Sequence, residues 1–336
     1  VGPAKTITLV DLEPNLVDHL AASLRELGLV TEPGSGWEGL SACAGLHACA
    51  RARIDVRAAA GSRPAAPASQ REAPMMTVRH TLRMLVAYGL AFWSPVPVFA
   101  AVNVVTTTQD LASIVREVGG ERVSVQPLAM GYQDPHFVEA KPSFILRLNR
   151  ADLLVAVGRE LEVGWLPPLI TQSRNPKIQP GGRGYLDASQ NVKILDLPAG
   201  PVTRAMGDVH PQGNPHYWLD PGNGRRIAQA VRARLSEISP GDAAYFGQRY
   251  ADFDRRLAAA EARWRTAMAP YRGLKVVTYH RSWTNFADAF GLDVIGYVEP
   301  NPGIPPAPAR TLSLEHEMQR QNVRIVLVEP NFDWKT

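Results

Sequence analysis

From residue 101 onward the apolar positions follow two alternating rhythms. "VNVVTTT" (102–108) is a β-branched run that predicts a strand. A helix is expected over 109–118, closed by Gly119 and Gly120, and "RVSVQPL" (122–128) is the next strand. A helix over 142–150 leads to the apolar strand "DLLVAVG" (152–158), and "VKILDL" (192–197) reads as a further short strand. Strands alternating with helices predict a doubly wound α/β sheet.

A long helical pattern then breaks this rhythm. Ser239 is a candidate N-cap, Pro240 suits a first helical position, and Asp242 stands where a capping box places an acid. Phe246, Tyr250, Phe253, Leu257, Ala260, Trp264 and Met268 follow at steps of three or four. They form one apolar stripe on a helix of about thirty residues, roughly 45 Å long. The α/β pattern resumes with the strand "KVVTYH" (275–280), a helix near 283–290 ending at Gly291, and the strand "DVIGYV" (293–298). A helix over 312–321 precedes the strand "RIVLVE" (324–329). The expected fold is α/β: two doubly wound lobes, 101–238 and 271–336, joined by a rigid backbone helix over 239–270. Bending that helix would break its hydrogen-bond ladder, which limits hinge motion. The second lobe is expected to be truncated, because Thr336 follows a strand and precedes the helix the rhythm requires.

Upstream of 101 the pattern is of another kind. Arg79, His80 and Arg83 precede an apolar run over 84–93, too short to span a bilayer, and Val98 and Ala100 fit the small-residue positions of a cleavage site. Residues 75–100 are therefore expected to be a secretory signal peptide, with a mature start at Ala101. Residues 1–74 come before it and are expected to lie outside the functional protein. They hold a strand-like run, an amphipathic helix with Leu16, Leu20, Leu24 and Leu27, and the Pro/Ala/Ser-rich linker "GSRPAAPASQREAP" (61–74). "SACAGLHACARARIDVRAAA" (41–60) resembles the iron–sulfur segment of the nitrite/sulfite reductase-like family, most closely precorrin-3B synthase. Cys43 and Cys49 have that segment's C-x5-C spacing, but a [4Fe–4S] cluster takes four ligands and no second cysteine pair follows.

Composition narrows the function classes. Of 336 residues, 45% are hydrophobic and 20% charged, ordinary values for a globular protein. The net charge of +4 comes from 36 basic residues against 32 acidic ones. The basic residues are scattered, so nucleic acid is not an expected partner. Beyond residue 50 there is no cysteine, which leaves the expected lobes without disulfides or thiolate metal ligands.

The histidines carry the candidate chemistry. "GDVHPQGNPHYWLDPGN" (207–223) holds His210 and His216 in a run that Pro211, Gly213 and Pro215 keep from being helical; Asp220 then looks like an N-cap before Pro221. His136, in "GYQDPHF", follows one strand, and His280 ends another. In open α/β sheets ligand-binding groups collect at the carboxyl ends of strands, so His136, His216 and His280 could converge between the lobes on a transition metal. Asp333 is the one late candidate for an added carboxylate. Spacing alone leaves this open, because a lone loop histidine is more often a surface or hydrogen-bonded residue. His80 and His316 receive that reading, and His19 and His47 belong to the upstream segment.

"DPHF", "GNPHYWLDP", "TYHRSWTNFADAFGL" and "VEPNFD" occur in order across 102–336, and with them the chain resembles the zinc/manganese substrate-binding proteins of ABC transporters, the ZnuA- and TroA-like cluster. The resemblance implies metal ligands His136, His216 and His280, with His210 at the rim and Asp220 and the prolines shaping the loop. It implies a bound Zn2+ carried as substrate, with Mn2+ as the alternative, and an ABC transporter membrane permease as partner. It also implies a periplasmic monomer that is not an enzyme; no lipid-anchor cysteine follows the expected cleavage site. The family's fourth ligand, an Asp after one more strand and helix, would fall beyond Thr336, so the role is not carried onto Asp333. The His-rich loop of many zinc members shrinks here to His210. Three imidazoles favour zinc, since manganese prefers oxygen donors and manganese-selective relatives place a carboxylate where His280 stands. A surface adhesin would share the fold. A zinc metallohydrolase is disfavoured, since there is no H-E-x-x-H and no Glu adjoins the three histidines.

Overall fold

A computed structural model describes the backbone of Thr6–Leu9 and Leu40–Ser41, and residues 101–336 except 204, 205, 208, 300, 302, 330, 331 and 333–336. The proposed signal peptide, the linker, Cys43, Cys49 and Asp333 all lie outside the described residues.

Val102–Thr106 (β3), Val123–Pro127 (β4), Leu153–Ala156 (β5) and Tyr185–Asp187 (β6) form one sheet in the order β4-β3-β5-β6, with every pairing parallel. Helices cover both faces, as a parallel sheet requires. Gln109–Gly119 (α1) and Pro221–Ile238 (α4) pack one side, and Pro142–Asn149 (α2) and Leu166–Ser173 (α3) the other. The start of α1 is set locally: the Thr108 side chain accepts from Leu111 N at 3.3 Å, and Leu111, Ala112, Val115 and Val118 then point inward. Its end is set by Gly120 at φ +52, a left-handed conformation glycine adopts without strain.

The expected strand at 192–197 is not one. Lys193 N donates to Asn223 Oδ1 at 2.8 Å, Lys193 O accepts from Asn223 Nδ2 and Asn285 Nδ2, and Leu195 O accepts from Asn214 N. Side chains and a loop thus take the backbone groups a ladder would use. The edge strand is Tyr185–Asp187, three residues that are too short to show an alternating pattern.

In the second lobe Lys275–Thr278 (β7) lies between Asp293–Tyr297 (β8) and Ile325–Val328 (β9), all parallel. Thr284–Phe290 (α6) covers one face and Pro308–Arg320 (α7) the other. Beyond β9 the backbone of Thr6–Leu9 (β1) pairs antiparallel, and Leu40–Ser41 (β2) pairs with β1. Sequence periodicity does not foreshadow that pairing.

The long helix is Ala243–Met268 (α5), flanked by 3-10 turns at Pro240–Asp242 and Ala269–Tyr271. Phe246 is its one fully buried residue, and the rest of the expected stripe is half-buried, because the helix lies along the outside of both lobes. Arg249 Nε donates to Glu117 O of α1 at 2.9 Å, and Arg265 Nη1 to Ala289 O of α6 at 3.3 Å. Its two ends are therefore fastened to different lobes. Among the described residues no helix is long and apolar enough to cross a membrane.

Candidate metal centre

His136 lies in the loop after β4, His216 in the turn before α4, and His280 two residues past β7. The fold brings all three together: one ligand nitrogen from each lies within 4.8 Å of the other two. Ring centroids are 5.1 Å apart for His136–His216, 5.4 Å for His136–His280 and 5.3 Å for His216–His280. Were all three nitrogens at the 4.8 Å limit, each would stand about 2.8 Å from their centre, so a shift of about 0.7 Å per ring reaches a Zn–N distance near 2.05 Å.

Each ring is held by the nitrogen that faces away. Asp134 Oδ1 accepts from both His136 N (2.9 Å) and His136 Nδ1 (2.7 Å). Asn214 Oδ1 accepts from His216 N and His216 Nδ1, both at 2.9 Å. The two loops thus repeat one device, an Asx–Pro–His tripeptide in which the Asx oxygen grips the histidine two residues on. His280 Nδ1 donates to Glu299 Oε2 at 2.6 Å, and Glu299 Oε1 accepts from Gly303 N at 3.0 Å. Glu299 reaches this position because pairing continues past β8, with Glu299 N donating to Tyr279 O at 2.9 Å.

These acceptors fix the tautomers. An ionised carboxylate only accepts, so Nδ1 of His136 and of His280 carries the proton and Nε2 presents a lone pair. For His216 the orientation of the Asn214 amide follows from its other end, where Nδ2 donates to Arg281 O (2.7 Å) and Asp196 Oδ2 (3.0 Å). Burial opposes the charge on Asp134, but the hydrogen bonds and charge of His136 outweigh it and hold the carboxyl below its ordinary range. Three converging imidazoles, each with Nδ1 tied to an oriented partner, are a candidate metal-binding set.

The surroundings keep water out. His216 is 4% exposed, and the side chains of His136 and His280 are each 8% exposed. Phe332 stacks on His280 at 5.7 Å, and Trp218 lies against His216 at 5.5 Å. Trp165 Nε1 donates to Pro135 O at 2.9 Å and pins the first loop. His210 also reaches the site, its Nε2 3.2 Å from His136 Nε2. Burial first, then the neighbouring imidazoles His136 and His280, push its pKa down to about 3. His316 is exposed on α7, away from this cluster. Asp220 touches no ligand ring: it accepts from Gly222 N at 2.8 Å and caps α4, so loop-shaping is its part and ring orientation falls to Asn214.

Residues 104–336 match the ZnuA family, described as zinc-uptake complex component A, periplasmic. The chain belongs to the ZnuA family. It is 25% identical over 250 residues to the high-affinity zinc uptake system protein ZnuA of Yersinia pestis, covering 69% of this chain and 77% of that protein. It is 24% identical over 236 residues to the manganese ABC transporter substrate-binding lipoprotein PsaA of Streptococcus pneumoniae, covering 69% and 73%. A crystal structure of ZnuA superposes with a TM-score of 0.60 at 24% identity, over 70% of this chain and 84% of that one. The two α/β lobes joined by a long helix are thus the architecture of ZnuA-family structures. Sequence reasoning found the three histidines and missed Asp134, Asn214 and Glu299. The repeated Asx–Pro–His could have revealed the first two. Glu299 had no local signal.

Proposed function

We propose that this ZnuA-family chain binds one zinc ion through the Nε2 atoms of His136, His216 and His280 and delivers it, in the periplasm, to the membrane permease of an ABC importer. One observation carries the reading: three Nδ1 atoms are tied to Asp134, Asn214 and Glu299, which turns three Nε2 lone pairs toward a common point. Zinc is favoured over manganese because the donors are nitrogens, and Asp134 and Glu299 are engaged in orienting two of them. The same engagement speaks for binding rather than hydrolysis, since a metallohydrolase needs a general base free to reach the metal-bound water. Export through the segment 75–100, a monomeric state and no part for nucleic acid belong to this reading. So does a separate origin for 1–74, with its likeness to precorrin-3B synthase, although β1 pairs with β9.

The test is a competition titration of purified protein against a zinc chelator, with zinc content measured in parallel. One tight ion per chain is expected, lost in His216→Ala. Equal affinity in wild type and His216→Ala ends the assignment.

A further inference from the structure

A sheet ends in two strands whose outer N–H and C=O groups lack a ladder partner, and such edges invite another strand unless something blocks them. In the first lobe arginines block both edges. On β4, Leu128 N donates inward to Thr106 O, so Val125 O and Pro127 O, of the other parity, point away from the sheet. Arg116 Nη2 of α1 donates to Val125 O and Arg147 Nη1 of α2 to Pro127 O, both at 3.2 Å, and Pro127 has no N–H to offer. On β6, Gly184 O accepts from Leu154 N of β5, while the outward carbonyls of Arg183 and Tyr185 accept from Arg234 Nη1 of α4, the first at 3.0 Å. In the second lobe β8 is kinked instead. Its pairing with β7 shifts register between Val276 and Val277, and a bulge of that kind spoils an edge for further pairing.

The edge of β9 is treated differently. Leu327 O accepts from Tyr279 N, just past β7, at 2.8 Å, so the backbone groups of Val326 and Val328 face the other way. Backbone meets them there: Thr8 stands opposite Val326 and Thr6 opposite Val328, antiparallel. The two residues of β2 then line the far side of β1, and so short an edge offers little to a further strand. The result matches the first lobe strand for strand. There β6 lies beside β5 in the order β4-β3-β5-β6, and here β1 lies beside β9 in the order β8-β7-β9-β1. The sequence of β1, "TITL", opens with three β-branched residues, which suit a strand.

We propose that β9 presents a strand-accepting edge and that its partner is this chain's own N-terminal segment, with Thr6–Leu9 serving as the fourth strand of the second-lobe sheet. Strand addition binds through main-chain hydrogen bonds, so the separate origin read for 1–74 is no bar to it. The inference does not depend on the zinc reading. It adds a consequence to the proposed export: a cut at Ala101 removes β1, so the edge is covered in the uncut chain and bare in the mature one.

The experiment is disulfide trapping in the purified, uncut full chain, in a background of Cys43→Ser and Cys49→Ser. Hydrogen-bonded antiparallel pairs have Cα atoms about 5.5 Å apart, within the span of a disulfide. Thr8→Cys with Val326→Cys should close on mild oxidation into an intramolecular bond in the monomer. Thr8→Cys with Leu327→Cys should not, because Leu327 packs on the opposite face of the sheet from Val326. Amide-resolved hydrogen exchange on the full chain gives a second readout. Thr8→Pro removes a ladder N–H and should speed exchange at Val326 and Val328 by roughly tenfold or more, while Leu327, which faces β7, keeps its protection. No closure of the Thr8–Val326 pair, equal closure of both pairs, or a bond joining two copies overturns the proposal. So does unchanged exchange at Val326 and Val328 in Thr8→Pro.

Discussion

Asn214 is the side chain on which both halves of the site depend, and its replacement by Ala separates two effects. Its Oδ1 receives two donors from His216, the backbone N–H and Nδ1–H, each at 2.9 Å. Its Nδ2 crosses to the second lobe and donates to Arg281 O, the residue after His280, at 2.7 Å. Asn214 is 6% exposed, so water does not readily replace it. The single Thr284 hydroxyl proton goes to Asp196 Oδ2 at 2.7 Å rather than to Arg281 O at 3.4 Å, so the loss falls on the two His216 donors and on Arg281 O. A buried donor left without an acceptor costs about 1–3 kcal/mol, and two of them sharing one newly opened cavity cost about 2–4 kcal/mol of stability. Zinc affinity should drop roughly 10–100-fold, because the ring is then free to turn and to exchange tautomers.

Asn214→Asp isolates the cause. It keeps an oxygen for both His216 donors, as Asp134 does for His136, and loses the Nδ2 bonds to Arg281 O, Asp196 Oδ2 and Thr284 Oγ1 while placing a charge beside Asp196. Stability should fall in both variants, measured by chemical denaturation with chelator present. Zinc affinity should fall in Asn214→Ala and stay within about threefold of wild type in Asn214→Asp. Equal affinity losses in the two variants would refute ring orientation as the role of Asn214, and an unchanged Asn214→Ala would remove it from the site altogether.

Glu299→Gln leaves one oxygen for two donors, His280 Nδ1–H and Gly303 N–H, and should weaken zinc by roughly 10–100-fold in chelator competition; a change under twofold would refute the pairing. Zinc should be released steeply as pH falls below about 6.5, where free imidazole protonates, since several rings must each shed a proton to bind; a flat titration by chromophoric chelator between pH 7 and 5 would contradict a histidine-only site. Glu162 gives a separate pH signature. Burial first raises its carboxyl, against hydrogen bonds from Thr107, Val157 N and Gly158 N, from 4.5 to about 7. With the folded value above the unfolded one, the group's stabilisation is fully present below pH 4.5 and is lost as pH rises to 7, about 3 kcal/mol over that window. Glu162→Gln should flatten that part of the stability-versus-pH curve in urea denaturation, and an unaltered curve would show that Glu162 is already ionised at low pH.

What could be read from sequence, and what could not, divides by the range of the interaction. β3, β5 and β7 are apolar runs buried on both faces, and the stripe on α5 recurs every three or four residues, so each pattern is a local record of burial. The 192–197 segment looks the same locally, with Val192 and Ile194 packed against the core, yet its hydrogen bonds go to Asn223, Asn285 and Asn214. No periodicity encodes an amide thirty residues away. The site divides in the same way. Asp134 and Asn214 act on histidines two residues on, so a tripeptide contains the whole device, and a proline between them helps hold the turn. Glu299 meets His280 only because β8 lies beside β7, and His210 meets His136 only because the turn at Gly213 is pressed onto Ile194. The three histidines that converge were therefore within reach of sequence, because histidine is rare and chemically distinct. The choice of nitrogen on each ring depends on neighbours that the fold alone supplies.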